Sequence, residues 1–347
     1  MKATQVLKAF FERRESDAVW SIANLKGIPL ITDRDDAPSN FYKIRDDVLV
    51  LPPNQATTIR SAMGQSIVPI VANVRGENEL KCLGTGFFIS CSGLLITAAH
   101  VIADPIERKY GGAAFVDHSN WQYDNLNLGV MIATNPILQV SGFFFRKFEW
   151  CGFLAEQRAN PLPFRGIDLK LSSDIAICKV QPIDEQTPYQ PLSIVQPGIQ
   201  GRGMRVGSNV TALGYSGMMD TQLEARPNGA VIGDFKFDLY VSKGRIIEQF
   251  PDNLETKTVS TPGPCFSVEA KLSPGMSGSP IFDEEGLYVH AVASKGTDFA
   301  DDWDNLGYGS MLLPSMSLPL TPLEGQNILQ LLTSNSHGIP KIYGCDF

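Results

Sequence analysis

The segment KLSPGMSGSPIF, Lys271 to Phe282, sets Ser277 and Ser279 on either side of Gly278, between Pro274 and Pro280. Gly, Ser and Pro crowded in this way build a tight backbone turn. A turn of this kind can also present a hydroxyl as a nucleophile. Serine attacks poorly until a base removes its proton, and the base needs a third group to orient it. Two other segments carry those residue types. LLITAAHVI delivers His100 at a strand-to-turn junction, and SSDIAICKV places Asp174 at the mouth of an apolar run. Asp168, six residues before Asp174, competes for the acidic role, but the head of the apolar run favours Asp174. Hydroxyl, imidazole and carboxylate are the parts of a hydrolytic site that works through a covalent intermediate.

The elements around these residues read as β-structure. From about residue 61, short runs rich in Val, Ile and Phe recur between Gly, Pro and Asn turns, among them SIVPIVANV, GTGFFIS, SNVTALGYS and YVHAVAS. Many short strands at this spacing argue a sandwich or a pair of barrels rather than alternating βαβ units. The proline- and glutamine-rich stretch Gln181 to Gly198 reads as the crossing between two β halves, and no internal repeat is visible. Residues 1 to about 25 place Val6, Leu7, Phe10, Phe11, Val19, Trp20 and Ile22 at helical spacing, which predicts a partly helical extension over residues 1–60. In TPLEGQNILQLL the residues predict a helix capped by Thr321, with Pro322 in its first turn and Glu324 closing a capping box. The aromatic cluster VSGFFFRKFEWCGF is expected to pack inside rather than to dock a partner.

Composition removes several function classes. Hydrophobic content of 43% and charged content of 19% over 347 residues are those of a globular protein with room for two modules. A net charge of −8 disfavours nucleic acid and anionic membrane as partners. No apolar run reaches the roughly 20 residues of a membrane helix, and the N-terminus lacks the pattern of a signal peptide. A cytoplasmic protein is therefore expected. The six cysteines are then read as small buried apolar side chains, with Cys82 and Cys91 the exceptions to watch. With four histidines and no C-x-x-C pair, neither a metal nor an organic cofactor is expected.

The motifs GTGFFIS…LLITAAHV, SDIAICKV and EAKLSPGMSGSPIF, in the order His, Asp, Ser, resemble the trypsin-like serine proteases of the chymotrypsin fold. Within that group they are most similar to HtrA-type and glutamyl-endopeptidase-like bacterial members. The resemblance implies an all-β fold of two packed six-stranded antiparallel β-barrels, flanked here by the N-terminal extension and a C-terminal helix. Residues 61–185 would form the first barrel and 186–333 the second, with 334–347 as a tail. It implies Ser277 as nucleophile, His100 as general base and acid, Asp174 orienting His100, and an oxyanion hole from the N–H groups of Gly275 and Ser277. The flanking glycines agree with that choice of serine, because they let the backbone bend sharply. Met276 stands where zymogen-activated members have an Asp, so activation by chain cleavage is not expected, and neither PDZ domains nor a leader is expected.

By the same resemblance, Lys271, Leu272, Ser273, Ser294, Gly296 and Gly309 would form the substrate pocket, with the substrate added as a β-strand near Ser294. A small or medium apolar side chain is the expected preference, an acidic one next and a basic one last. The expected partner is a protein or peptide substrate, with residues 1–60 as an arm for a regulatory protein. A catalytically silent binding module on the same fold is the competing expectation. An ordinary imidazole predicts that activity falls below about pH 6.5.

Overall fold

Apolar runs too short for helices, bounded by Gly, Pro and Asn, fold as strands whose backbone groups pair with neighbours rather than with water. The computed structural model describes residues 19–25, 66–74, 77–107, 113–117, 120–123, 126–133, 143–158, 168–182, 189, 191–192, 204–225, 231–232, 238–250, 261–283, 288–296, 306–312, 316 and 319–334. The N-terminal half supplies β1 (Val19–Leu25), β2 (Ile67–Val74), β3 (Glu79–Phe88), β4 (Leu94–Thr97), β5 (Ala113–Asp117), β6 (Asn120–Tyr123), β7 (Leu126–Ala133), β8 (Phe143–Arg158) and β9 (Asp168–Val180). Helix α1 (Ala99–Glu107) follows β4. The order β8-β7-β2-β3-β4-β9 closes through pairing of β9 with β8, giving a six-stranded antiparallel barrel.

The second half supplies β10 (Asn209–Ser216), β11 (Thr221–Gln222), β12 (Glu224–Ala225), β13 (Val231–Ile232), β14 (Asp238–Phe250), β15 (Cys265–Glu269), β16 (Pro280–Phe282), β17 (Val289–Gly296) and β18 (Leu306–Met311). Six of these close a second barrel in the order β10-β14-β15-β18-β17-β16. Closure leaves no unpaired edge within either ring. Several ties cross between them. Strand β11 pairs with β3, Thr221 opposite Leu80, and the Cys82 N–H donates to Asp220 Oδ1 at 2.9 Å.

One apolar cluster spans both halves. It joins Ile67, Phe87 and Leu95 of the first barrel to Leu213, Tyr215 and Val292 of the second, and to Ile328 and Leu331. A smaller cluster around Ile246, Phe266, Ile281 and Ala291 fills the second barrel. Of the aromatic cluster expected to pack, Phe145, Phe148, Trp150 and Phe153 are buried along β8; the side chains of Phe143 and Phe144 lie outside the described residues.

Two expectations about flanking helices need correction. Val19–Leu25 is a strand, antiparallel to β8 and parallel to β6, rather than part of a helix. Val, Trp and Ile suit extended backbone once a sheet edge offers partners, and that context overrides helical spacing. Residues 1–18 lie outside the described residues. At the other end, Thr321–Leu323 is a single 3-10 turn, and helix α2 covers only Ile328–Ser334. Positive φ at Glu324 (57°) and Gly325 (79°) breaks the chain before the helix. The capping box belongs instead to Asn327 and Gln330: the Gln330 N–H donates to Asn327 Oδ1 at 2.8 Å, and the Asn327 N–H to Gln330 Oε1 at 2.9 Å. Among the described residues no helix is long and apolar enough to cross a membrane.

Candidate active site

Asp174 sits on a bulge. The β8–β9 register runs from Phe153 opposite Ala176 to Ala155 opposite Leu171, so β9 spends five steps where β8 spends two. Extra residues in one strand bend it and re-aim its side chains. The bulge turns Asp174 toward the first turn of α1, where helix N–H groups have no intrahelical acceptor. The His100 N–H donates to Asp174 Oδ1 at 2.9 Å, and His100 Nδ1 lies 3.0 Å from Oδ1 and 2.9 Å from Oδ2. Ser294 marks a second bulge, where the β17–β18 register shifts between Ala293 and Lys295. Its hydroxyl donates to Asp174 Oδ2 and meets Thr261 Oγ1 at 2.6 Å. Asp174, not Asp168, therefore holds the imidazole; Asp168 stands opposite Arg158 at the start of β9.

Electrostatics follow from this cage. Burial alone would raise the Asp174 carboxyl, but the charge and hydrogen bond of His100, with the bonds from Ser294 and the His100 N–H, hold it below its ordinary value. Burial alone would lower the His100 imidazole. The Asp174 charge and hydrogen bond, with a smaller contribution from Asp104, outweigh burial and the opposing Lys295 charge, so it titrates above the ordinary histidine value. A carboxylate against Nδ1 selects the Nδ1–H tautomer and leaves Nε2 as a lone-pair acceptor.

The turn carrying Ser277 is pinned on almost every peptide. Gly275 and Gly278 have φ of 93° and 90°. At Gly278 a Cβ would lie 1.9 Å from the Thr85 carbonyl, so both conformation and space demand glycine. The Met276 N–H donates to Ser273 O, the Gly278 N–H to Ala293 O and the Ser279 N–H to Met276 O. Thr85, fully buried in β3, holds the turn from the other barrel. Its N–H donates to Ser277 O at 2.7 Å and its hydroxyl to Gly275 O at 2.9 Å, while the Tyr215 N–H donates to the same hydroxyl. Among the described residues the N–H groups of Gly275 and Ser277 have no protein acceptor. The Ser277 hydroxyl donates to the Ser294 carbonyl at 3.1 Å rather than to His100. Ser294 thus links the carboxylate to the hydroxyl, and the Ser277 carbonyl and Val101 both lie against Gly84.

A family model described as a trypsin-like peptidase domain matches residues 84–289, more than half of the chain. The chain belongs to the trypsin-like peptidase family. No curated protein matches it. Among solved structures it is similar to the inactive form of the Rv3671c protease, at 21% identity and a TM-score of 0.37, over 75% of this chain and 90% of that one. It is also similar to the active form of the Rv3671c protease from M. tuberculosis, at 20% identity and a TM-score of 0.38, over 78% and 87%. Deg5 matches at 16% identity and a TM-score of 0.38, over 74% and 90%.

In this trypsin-like peptidase the residues expected to line the pocket are not all alike. Leu272 is buried, with its side chain against Gly307 and its carbonyl against Gly296. Lys271 is exposed, and its carbonyl accepts from the Ser242 hydroxyl at 2.7 Å. Ser273 is half-buried beside the turn, and Ser294 serves Asp174. Gly309 faces Phe266 and Ile281 inside the second barrel, so Gly307 is the glycine that meets Leu272. Among the described residues no group of three His, Cys, Asp or Glu side chains is placed to hold a metal ion. Thr85 and Thr261 were not singled out by the sequence; the only local sign of Thr85 was a polar residue between two glycines in an apolar run.

Thr85→Val removes the hydroxyl donor while keeping shape and leaves the Gly275 carbonyl unpaired. Peptidase kcat is expected to fall about 10- to 100-fold with KM little changed, because a small displacement of the turn is enough. Thr85→Ser should restore most of the rate. Equal loss in the Val and Ser variants would mean that Thr85 contributes packing alone.

Proposed function

We propose that the chain is a serine endopeptidase in which Ser277 is the nucleophile, His100 the general base and acid, and Asp174 the group that orients His100. The observation that carries this reading is the connected set running from the His100 ring through Asp174 to Ser294 and on to the Ser277 hydroxyl. When a peptide enters, the Ser277 hydroxyl turns from the Ser294 carbonyl to His100 Nε2. Ser277 Oγ attacks the scissile carbonyl carbon as Nε2 takes its proton, and Asp174 stabilises the resulting imidazolium. The N–H groups of Gly275 and Ser277, lacking protein acceptors, receive the developing oxyanion. His100 then gives its proton to the leaving amine, and a water repeats the sequence in reverse to release the acyl group.

Ser277→Ala should lower turnover by about 10⁶-fold, whereas Ser279→Ala should keep most of it, since Ser279 is buried against Gly214. A fluorophosphonate probe should label Ser277 in the wild type. An unlabelled wild type would favour the silent binding module, for which the resting bond from Ser277 to Ser294 is the supporting feature.

The pH dependence moves upward from the value for an ordinary imidazole. Only neutral His100 can accept the proton, and its pKa is raised above 6.5. As pH falls, kcat/KM is therefore expected to drop at a pH higher than 6.5. Asp174→Asn removes the raising charge and leaves burial, so the same limb should move to lower pH while the rate falls about 10⁴-fold. A limb that Asp174→Asn does not move would detach the titration from this pair.

For the residue before the scissile bond we propose a small apolar preference. Leu272 occupies the space over Gly307, and Lys271 is exposed to solvent. A peptide-library profile should favour Ala and Val, and Leu272→Ala should shift it toward Met and Phe. A preference for Lys or Arg would contradict the pocket.

A further inference from the structure

Cys151 and Cys178 stand directly opposite one another on β8 and β9, and both are fully buried. Residues directly opposite on antiparallel strands have Cα atoms about 4.5 or 5.5 Å apart, and their side chains leave the same face. A disulfide requires Cα atoms about 4.4–6.8 Å apart with converging side chains. Either kind of cross-strand pair meets that requirement without moving the backbone. Burial, together with the neighbouring Cys178 thiol, pushes the Cys151 thiol well above its usual range. Both are free thiols in the structure. The hydrolytic site uses neither.

We propose that Cys151 and Cys178 form a redox pair that closes to a cross-strand disulfide when the chain folds in the presence of a small-molecule disulfide. One cysteine thiolate attacks a sulfur of glutathione disulfide, forming a mixed disulfide and releasing one glutathione thiolate. The second cysteine thiolate attacks the protein sulfur of that mixed disulfide and releases the second glutathione. The protein thiols lose two electrons, glutathione disulfide gains them, and the two protons pass to the released thiolates. The exchange belongs to folding rather than to the finished molecule. Cys151 is flanked by Ala23 of β1 on its other side, and Cys178 by Leu95 of β4, so closure of the barrel encloses both sulfurs.

The pair lies on the C-terminal side of the bulge that presents Asp174. A bond there closes a loop of about 28 residues around the bulge and restricts the unfolded chain. It leaves the native register as it is. The consequence is greater resistance to unfolding with turnover at room temperature unchanged.

The full chain is refolded in a glutathione redox buffer and, separately, in dithiothreitol, then denatured in N-ethylmaleimide and mapped by peptide mass. The oxidised sample should lack alkylation at Cys151 and Cys178 and yield one linked peptide joining them. The link should resist dithiothreitol in the native protein and be lost after unfolding. Its Tm should exceed that of the reduced sample by about 5–10 °C, and Cys151→Ala should abolish the difference. Alkylation of both cysteines after oxidative refolding, or a link that joins other cysteines, would overturn the proposal; this wild-type map decides even if Cys151→Ala does not fold.

Discussion

A carboxylate with 2% of its surface exposed must be satisfied by the protein or not be charged at all, and Asp174 is such a group. Its donors come from three places: the imidazole of His100, the first-turn N–H of α1 and the hydroxyl of Ser294. The first two belong to one barrel and the third to the other. Packing of the barrels and satisfaction of this charge are therefore one condition. Removing one partner of a buried, paired charge typically costs about 3–5 kcal/mol, a large part of the stability of most domains. The bulges at Asp174 and Ser294 are the local distortions that let both barrels reach the same two oxygens.

A second crossing fixes the turn that carries Ser277. Thr85 sends its N–H to one carbonyl of the turn and its hydroxyl to another, and Thr97 donates to the Thr85 carbonyl from below. A loop of glycines and serines has many conformations in isolation. Here, among the described residues, the N–H groups of Met276, Gly278 and Ser279 have acceptors, and those of Gly275 and Ser277 have none. Rigid elements of both barrels supply the ordering of this turn.

The fold was largely legible in the sequence because strand-length apolar runs and turn residues are local signals. His100, Asp174 and Ser277 stood out because each stands beside an apolar run or in a turn of small residues in the sequence. What was not legible depends on partners far away in the chain. Val19–Leu25 reads as amphipathic helix until β6 and β8 offer it hydrogen bonds. Thr85 reads as a strand residue until the turn of the second barrel arrives. The helix cap moved from Thr321 and Glu324 to Asn327 and Gln330 because backbone at Glu324 and Gly325 turns left-handed, which no pattern of side chains announced. The pairing of Cys151 with Cys178 likewise requires the register of β8 on β9.

The tautomer of His100 tests the central interaction most directly. With the imidazole nitrogens labelled with ¹⁵N, and His100 assigned by its loss in His100→Gln, the spectrum is recorded above the histidine pKa. The geometry predicts a proton on Nδ1, held by Asp174, and a bare Nε2, with that preference lost in Asp174→Asn. A proton resident on Nε2 in the wild type would contradict it, since the proposed proton transfer from Ser277 needs a bare Nε2.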